Sequence, residues 1–290
     1  MSPIGASGAG LTWNVLTSQR RGLVQGLPPG KEDRAWVANS ATLISGQRDA
    51  VLVDTFLTSE QAKTLVDWVA TNEKNLTAIY VTHGHGDHFF GLAALLDRFP
   101  HARAIATPKV VSAMEKQLNP ATLDGFWRKL FPGEIPERLV AAEALQDNEF
   151  ELEGHQLVVI DTGHTDTASS TCLHVPSIDL LVGGDVVYNE THVYLAETDT
   201  DSRMEWMATL ERLEMLKPKA VVAGHKIPGN DDDERIIVET HRYLRDFNRL
   251  NDATSTAREL YDAMLEVYPN HANPGSLWGS ANKAKELARV

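Results

Sequence analysis

The sequence predicts a layered α/β protein, and three observations carry that prediction. Short apolar runs alternate with helical periodicity between about residues 49 and 118, which is the signature of strands and helices packed in layers. A second stretch, from about 149 to 223, again places strand patterns ahead of a helix. The chain has 290 residues with 42% hydrophobic and 23% charged content, enough apolar surface for a large core.

Asp49-Ala-Val-Leu-Val-Asp54 follows Gly46 and reads as a buried strand ending in a carboxylate. Thr58 or Ser59 then caps a helix whose Ala62, Leu65, Val66 and Val69 fall at i, i+3, i+4 and i+7. A second strand, Leu76 to Thr82, leads into a histidine-rich loop, and Phe89 to Phe99 reads as helical. Ala102 to Ala106 and a helix from about Pro108 to Leu118 repeat the alternation. Pro120, Pro132, Gly133 and Pro136 interrupt it, so residues 119–137 read as an insertion or lid.

From Glu149 the pattern changes to two strands, Phe150 to Ile160, joined at Glu153-Gly154. Strands at Thr171 to Val175 and Asp179 to Val182 follow, then a helix from Ser202 to Leu216 and a buried strand at Ala220 to Ala223. The remainder, from about Asp233, is helical with breaks near Asn251 and between Pro269 and Pro274. The expected organisation is an N-terminal segment over 1–36, a domain over 37–228, and a helical extension over 229–290 packed on that domain.

Twenty-seven Lys and Arg against 40 Asp and Glu give a formal charge of -13, which repels a polyphosphate backbone, and no basic run exceeds Arg20-Arg21. Nucleic acid is therefore not an expected partner. Met1 to Gly10 lacks the basic and apolar regions of a secretory leader, and no apolar stretch approaches the roughly 18 residues of a membrane span. Cys172 is the only cysteine, so no internal disulfide forms. These features lead to the expectation of a cytoplasmic protein that acts on a small molecule away from membranes.

The chemistry concentrates in Thr82-His83-Gly84-His85-Gly86-Asp87-His88, four potential ligands within six residues, with glycines that let the backbone turn sharply. His164, Asp185 and His225 recur in similar contexts downstream: an apolar run, a glycine, then the ligand. An isolated histidine is usually a surface or satisfied core group. Seven such residues at strand ends are explained together by metal, and imidazoles with carboxylates suit zinc and related divalent ions.

The His-x-His-x-Asp-His run, with the later Gly-His, Gly-Asp and Gly-His, resembles the metallo-β-lactamase superfamily over about residues 37–228. The resemblance implies a four-layer αββα sandwich. It also implies that His83, His85 and His164 hold one metal, that Asp87, His88 and His225 hold another, and that Asp185 bridges them. Asp54 would support the metal loop from behind. Two divalent ions, Zn2+ first with Fe or Mn as alternatives, are the expected cofactors. A water shared between them would lose its proton near neutral pH and the hydroxide would attack a polarised carbonyl, with Asp87 also shuttling a proton to the leaving group.

Within the family, zinc β-lactamases usually carry a cysteine or serine in place of Asp185. The aspartate resembles the glyoxalase-type thioesterases, acyl homoserine lactonases and phosphodiesterases instead. Their Gly-His-Thr-Pro-Gly pattern differs from Gly163-His164-Thr165-Asp166-Thr167, and Lys283 and Lys285 do not make the basic cluster expected for glutathione carboxylates. A lactone or small ester is the leading substrate class; a thioester, a lactam or a phosphodiester is the alternative, and an iron-dependent oxygen-using enzyme ranks below these. Tyr188 is the candidate to hydrogen-bond a substrate carbonyl or leaving group, with His192 and Tyr194 beside it. Phe126 and Trp127 would form an apolar lid over the cleft, or else pack a local helix or a homodimer contact.

Overall fold

The structure is a computed structural model that describes residues 10–23, 27, 28 and 30–287. Residues 1–9, which contain most of the segment considered above for a leader, lie outside the described residues. In chain order the strands are β1 (Thr12–Arg21), β2 (Trp36–Ser45), β3 (Asp49–Val53), β4 (Asn75–Tyr80), β5 (Arg103–Ala106), β6 (Glu143–Ala144), β7 (Glu149–Leu152), β8 (His155–Gly163), β9 (Ser170–Val175), β10 (Leu180–Asn189) and β11 (Ala220–Lys226). The helices are α1 (Ser59–Thr71), α2 (Gly86–Phe89), α3 (Leu92–Arg98), α4 (Pro108–Leu118), α5 (Pro120–Thr122), α6 (Arg128–Leu130), α7 (Thr200–Glu214), α8 (Arg235–Ala253), α9 (Ala257–Val267) and α10 (Pro274–Leu287).

The strands follow the order β6-β5-β4-β3-β2-β11-β10-β9-β8-β7, with β1 paired to β2. The path folds over on itself, and three apolar clusters record the layers. Ile44, Val51, Val53 and Tyr80 from one half-sheet meet Leu157, Leu173, Val182 and Val222 from the other, filling the space between the sheets. Leu43, Leu52 and Ile79 face Leu65, Leu95 and Val110 of α1, α3 and α4 on one outer side. Leu181, Val187 and Ala223 face Trp206, Phe247, Leu260 and Leu277 of α7 to α10 on the other. This is the expected αββα arrangement.

Local chemistry explains the element boundaries. Thr58 caps α1 with a reciprocal pair: its hydroxyl accepts from Gln61 N–H while the Gln61 side chain accepts from Thr58 N–H. Such a cap is worth about 1 kcal/mol. Pro108 sits in the first turn of α4, where its missing N–H costs nothing, and Thr107 caps it. The β7–β8 turn places Glu153 at φ 49° and Gly154 at φ 83°, the left-handed pair a tight hairpin requires.

The long hairpin of β1 and β2, paired from Thr12↔Ser45 to Arg21↔Trp36, goes beyond the sequence expectation, which left residues 1–36 without assigned elements. Its β1 strand is mostly half-buried or exposed, so no continuous apolar run marks it. Between α4 and β6, the expected insertion is helical: α5 and α6 flank a π-helical turn, Leu123–Trp127. Among the described residues no helix is long and apolar enough to cross a membrane.

The two half-sheets are also stitched at a turn. The Glu153 carboxylate accepts from the backbone N–H groups of Gln47, Arg48 and Asp49 at 2.8, 2.7 and 2.9 Å. Those bonds, Arg48 and Asp49 foremost, hold its pKa down to about 2 against an ordinary 4.5. Because the folded value is depressed, the charge stabilises the fold above the ordinary carboxylate range, and the benefit disappears as pH falls through that range toward 2. Glu153→Gln should therefore lower the urea midpoint by a constant amount above about pH 5, and the gap should narrow below that. Parallel urea titrations of both proteins between pH 3 and pH 7 check this; a gap that stays flat would remove the charge from the account.

Candidate metal centre

The candidate ligands gather at the carboxyl ends of strands, around the seam where β2 and β11 meet. That seam is a single paired position, His225↔Asn39. His83 and His85 follow β4, and Asp87 and His88 lie on the short α2. Asp185 lies on β10 at an irregularity: pairing with β11 runs Gly184↔Ala223 and then Tyr188↔His225, so residues 185–187 oppose Gly224 alone. Such a bulge re-aims a side chain out of the regular alternation. Gly224 leaves the room, since a Cβ there would collide with Asp185 Oδ1.

Three imidazoles are oriented by what their Nδ1 touches. His225 Nδ1 is 3.0 Å from the Ala38 carbonyl, which can only accept. His88 Nδ1 is 3.0 Å from Asp54 Oδ2. His83 Nδ1 is 3.1 Å from Thr82 Oγ1, whose own proton goes to Asp54 Oδ2 at 2.7 Å. Each therefore donates through Nδ1 and turns Nε2 to the cluster. His85 is reversed: its Nε2 faces Glu197 Oε1 at 3.1 Å and its Nδ1 faces the cluster.

Asp54 plays the supporting part expected of it. Its other oxygen accepts from Thr82 N–H at 2.8 Å, and its backbone sits at φ 61°, an uncommon conformation for a residue with a Cβ. Two further groups absent from the sequence expectation hold Asp87. Arg20, from β1, and Asn39, from β2, each donate to Asp87 Oδ2 at 3.0 Å. Burial opposes the Asp87 charge, but His88, Arg20 and His225 outweigh it and hold the carboxyl well below its usual range.

Two sets of ligand atoms lie close enough for one ion each: His83, His85, Asp166 and Asp185, and Asp87, His88 and His225. Asp185 faces both, with Oδ1 3.2 Å from His88 Nε2 and Oδ2 3.0 Å from His225 Nε2 and 3.9 Å from His83 Nε2. Burial again opposes its charge, and His225 and His88 hold it well below the usual carboxylate range. His83 Nε2, His88 Nε2, Asp166 Oδ2 and Asp185 Oδ1 are all buried without a hydrogen-bond partner. Buried polar atoms are rarely left so, and four converging on one spot fit divalent cations.

His164 departs from the sequence expectation. Its ring is half-buried and turned to the Glu197 carbonyl, with Nε2 3.0 Å from that oxygen. The tight turn marked by Thr165 N–H donating to the Thr167 carbonyl swings Asp166 inward instead. The signal in the sequence was the aspartate standing two residues after the glycine-histidine pair.

A cleft of about 700 Å3 opens above the ligands. Phe126, Trp127, Leu130 and Phe131 form one wall, Trp278 of α10 contributes to another, and Tyr194 stands edge-on to His85 at 5.7 Å between ring centres. Tyr188, Tyr194, Phe126 and Trp127 line this cleft as expected. Trp127 is also packed against Phe90 and the core, whereas Phe126 remains half exposed. His192 does not line the cleft: it is fully buried, with Nδ1 3.0 Å from Tyr243 Oη, because β10 ends before it and the chain turns toward α8. Tyr188 donates to Asp185 Oδ2 at 3.0 Å, and burial followed by the Asp185 charge keeps its phenol protonated.

Gly224→Ala should displace Asp185 and shift the neighbouring β10 backbone at Gly184 while the sheets stay folded. The expected result is metal affinity lower by about 10–100-fold with an unchanged far-ultraviolet circular dichroism spectrum, read by equilibrium dialysis and metal analysis. Wild-type affinity in that variant would mean that the bulge does not set the ligand.

Comparison with known proteins bears on the fold and the family. A 77-residue stretch is 31% identical to a hydroxyacylglutathione hydrolase of Actinobacillus pleuropneumoniae, covering 27% of this chain and 31% of that protein. A 60-residue stretch is 35% identical to one from Vibrio campbellii, covering 19% and 24%. The chain thus spans less than a third of the length of these relatives. A metallo-β-lactamase from Pontibacter korlensis shares the fold at a TM-score of 0.59, with 21% identity over 84% of this chain and 98% of that one. A metallo-β-lactamase family protein from Thermus thermophilus does so at 0.64, with 19% identity over 96% and 93%. The model of the metallo-beta-lactamase superfamily matches residues 34–225, and with the ligand loop, the bulge and the sandwich in place, the chain belongs to that superfamily.

Proposed function

We propose that this chain is a dinuclear metal-dependent hydrolase that opens a lactone or cleaves a small carboxylic ester with an apolar body. The observation that carries this reading is the set of buried, unpartnered ligand atoms at the floor of an aromatic-walled cleft. Zn2+ is the first candidate for both ions. When bound, such ions polarise a carbonyl and lower the pKa of water toward neutrality.

The chain's own groups then have defined tasks. Phe126, Trp127, Leu130 and Trp278 hold the apolar part of the substrate and exclude water from it. Arg20 and Asn39 fix Asp87, and Glu197 fixes His85, so that the ligands need not reorganise during reaction. Tyr188, neutral and protonated, donates to Asp185 at 3.0 Å and would redirect that proton to a developing negative oxygen or a departing alkoxide.

A thioester is the second reading, favoured by the likeness to hydroxyacylglutathione hydrolases. Against a glutathione conjugate stands the cleft's charge: among its described lining residues Arg20 is the one lysine or arginine, and it is engaged by Asp87. A cytoplasmic setting and a homodimer remain part of the proposal.

Hydrolysis should be measured over lactones, aryl esters, S-acyl glutathiones, lactams and phosphodiesters with metal-loaded protein. Lactones or esters are expected to turn over fastest, chelation should abolish the activity, and His83→Ala or Asp185→Asn should reduce it by at least about 100-fold with the fold retained. Full activity in both variants would place the chemistry elsewhere. Phe126→Ala, at an exposed position on the wall, should raise KM for long or aromatic acyl groups with little change in kcat; an equal KM for short and long substrates would remove Phe126 from recognition.

A further inference from the structure

We propose that Asp166, in place of a third histidine, completes the first metal position, so that each ion is held by two imidazoles, one carboxylate of its own and the shared Asp185. The consequence is a chain that accepts Mn2+ more readily, relative to Zn2+, than a three-imidazole position would. The inference rests on the dinuclear reading above.

The geometry assigns the two oxygens of Asp166 different tasks. Oδ1 accepts from the hydroxyls of Thr165 at 2.9 Å and Ser170 at 3.1 Å. Oδ2 is buried and has no hydrogen bond, and it stands 3.0 Å from His85 Nδ1 and 3.5 Å from His83 Nε2. A fully buried carboxylate braced on one side and bare on the other is costly unless a cation meets the bare oxygen. His164, two residues earlier, is committed to the Glu197 carbonyl on the far side of the turn. Glu197 itself also receives the Thr167 hydroxyl at 2.7 Å and contacts His85, which locks the turn with Asp166 inside and His164 outside.

Donor chemistry supplies the rest. The two ligand sets together hold four imidazoles and three carboxylates. Exchanging Asp166 for an imidazole would remove one of the three negative charges and one hard oxygen donor. Imidazole suits zinc, whereas carboxylate oxygen suits manganese and magnesium, so the aspartate narrows zinc's advantage without reversing the general affinity order.

The test strips the full-length protein with a chelator and reloads it with Zn2+ or Mn2+ alone. Stoichiometry is read by elemental analysis after desalting, and affinities by competition with a chromophoric chelator and by Mn2+ electron paramagnetic resonance. Unaltered protein and His164→Ala should each bind two ions per chain with the same Zn2+ to Mn2+ affinity ratio. Asp166→Asn should retain one tightly bound ion, and Asp166→His should raise the Zn2+ to Mn2+ ratio by about tenfold or more. Loss of an ion in His164→Ala, or an unchanged ratio in Asp166→His, would overturn the assignment. Two ions bound as expected without hydrolysis of any substrate would sink the hydrolase reading and leave this assignment standing; fewer than two ions in the unaltered protein would sink both.

Discussion

Mutual repulsion among buried carboxylates, balanced by the imidazoles set between them, is the constraint on which the centre of this molecule depends. Asp87, Asp166 and Asp185 are each less than one-tenth exposed and share a space with four histidines. Such a cluster persists only if surrounding groups fix every side chain. Asp54 does so for His83, through Thr82, and directly for His88; Ala38 does so for His225; Glu197 does so for His85. The orientation of each ring follows from those partners, and so does the direction in which its other nitrogen points.

The sheets serve the same end. The half-sheets are sealed by apolar residues between them, yet at the site they touch through one strand pair, and the bulge on β10 opens space where Asp185 must turn inward. Two glycines allow close approaches beside the ligands. Gly224 leaves space for the Asp185 carboxylate, and Gly184, at φ 52°, lets the chain pass where a Cβ would stand 2.5 Å from Thr82 Oγ1. A side chain at Gly224 would displace a ligand, and one at Gly184 would press on Thr82, which orients His83.

The cleft is built from segments remote in sequence. Arg20 arrives on the β1–β2 hairpin, Phe126 and Trp127 on the π-helical turn, Tyr188 on β10, and Trp278 on the last helix. Only one of these, Tyr188, is close in sequence to a ligand. The lining of the cleft is therefore set by how the outer elements fold back over the ligand loop.

The sequence by itself determined what is local. Strand and helix periodicity, the Thr58 cap, the Glu153-Gly154 turn and the density of ligands from His83 to His88 depend on neighbours a few residues apart, and the structure contains them all. Which of two neighbouring side chains, His164 or Asp166, faces the centre is decided by a turn braced from Glu197, more than thirty residues away. Arg20 and Asn39 reach Asp87 from 67 and 48 residues away, and His192 is drawn into a buried pair with Tyr243 on α8. None of these distances leaves a periodic trace in the chain. Only the tertiary structure decided them, because hydrogen bonds between remote segments exist only after the sheets have closed.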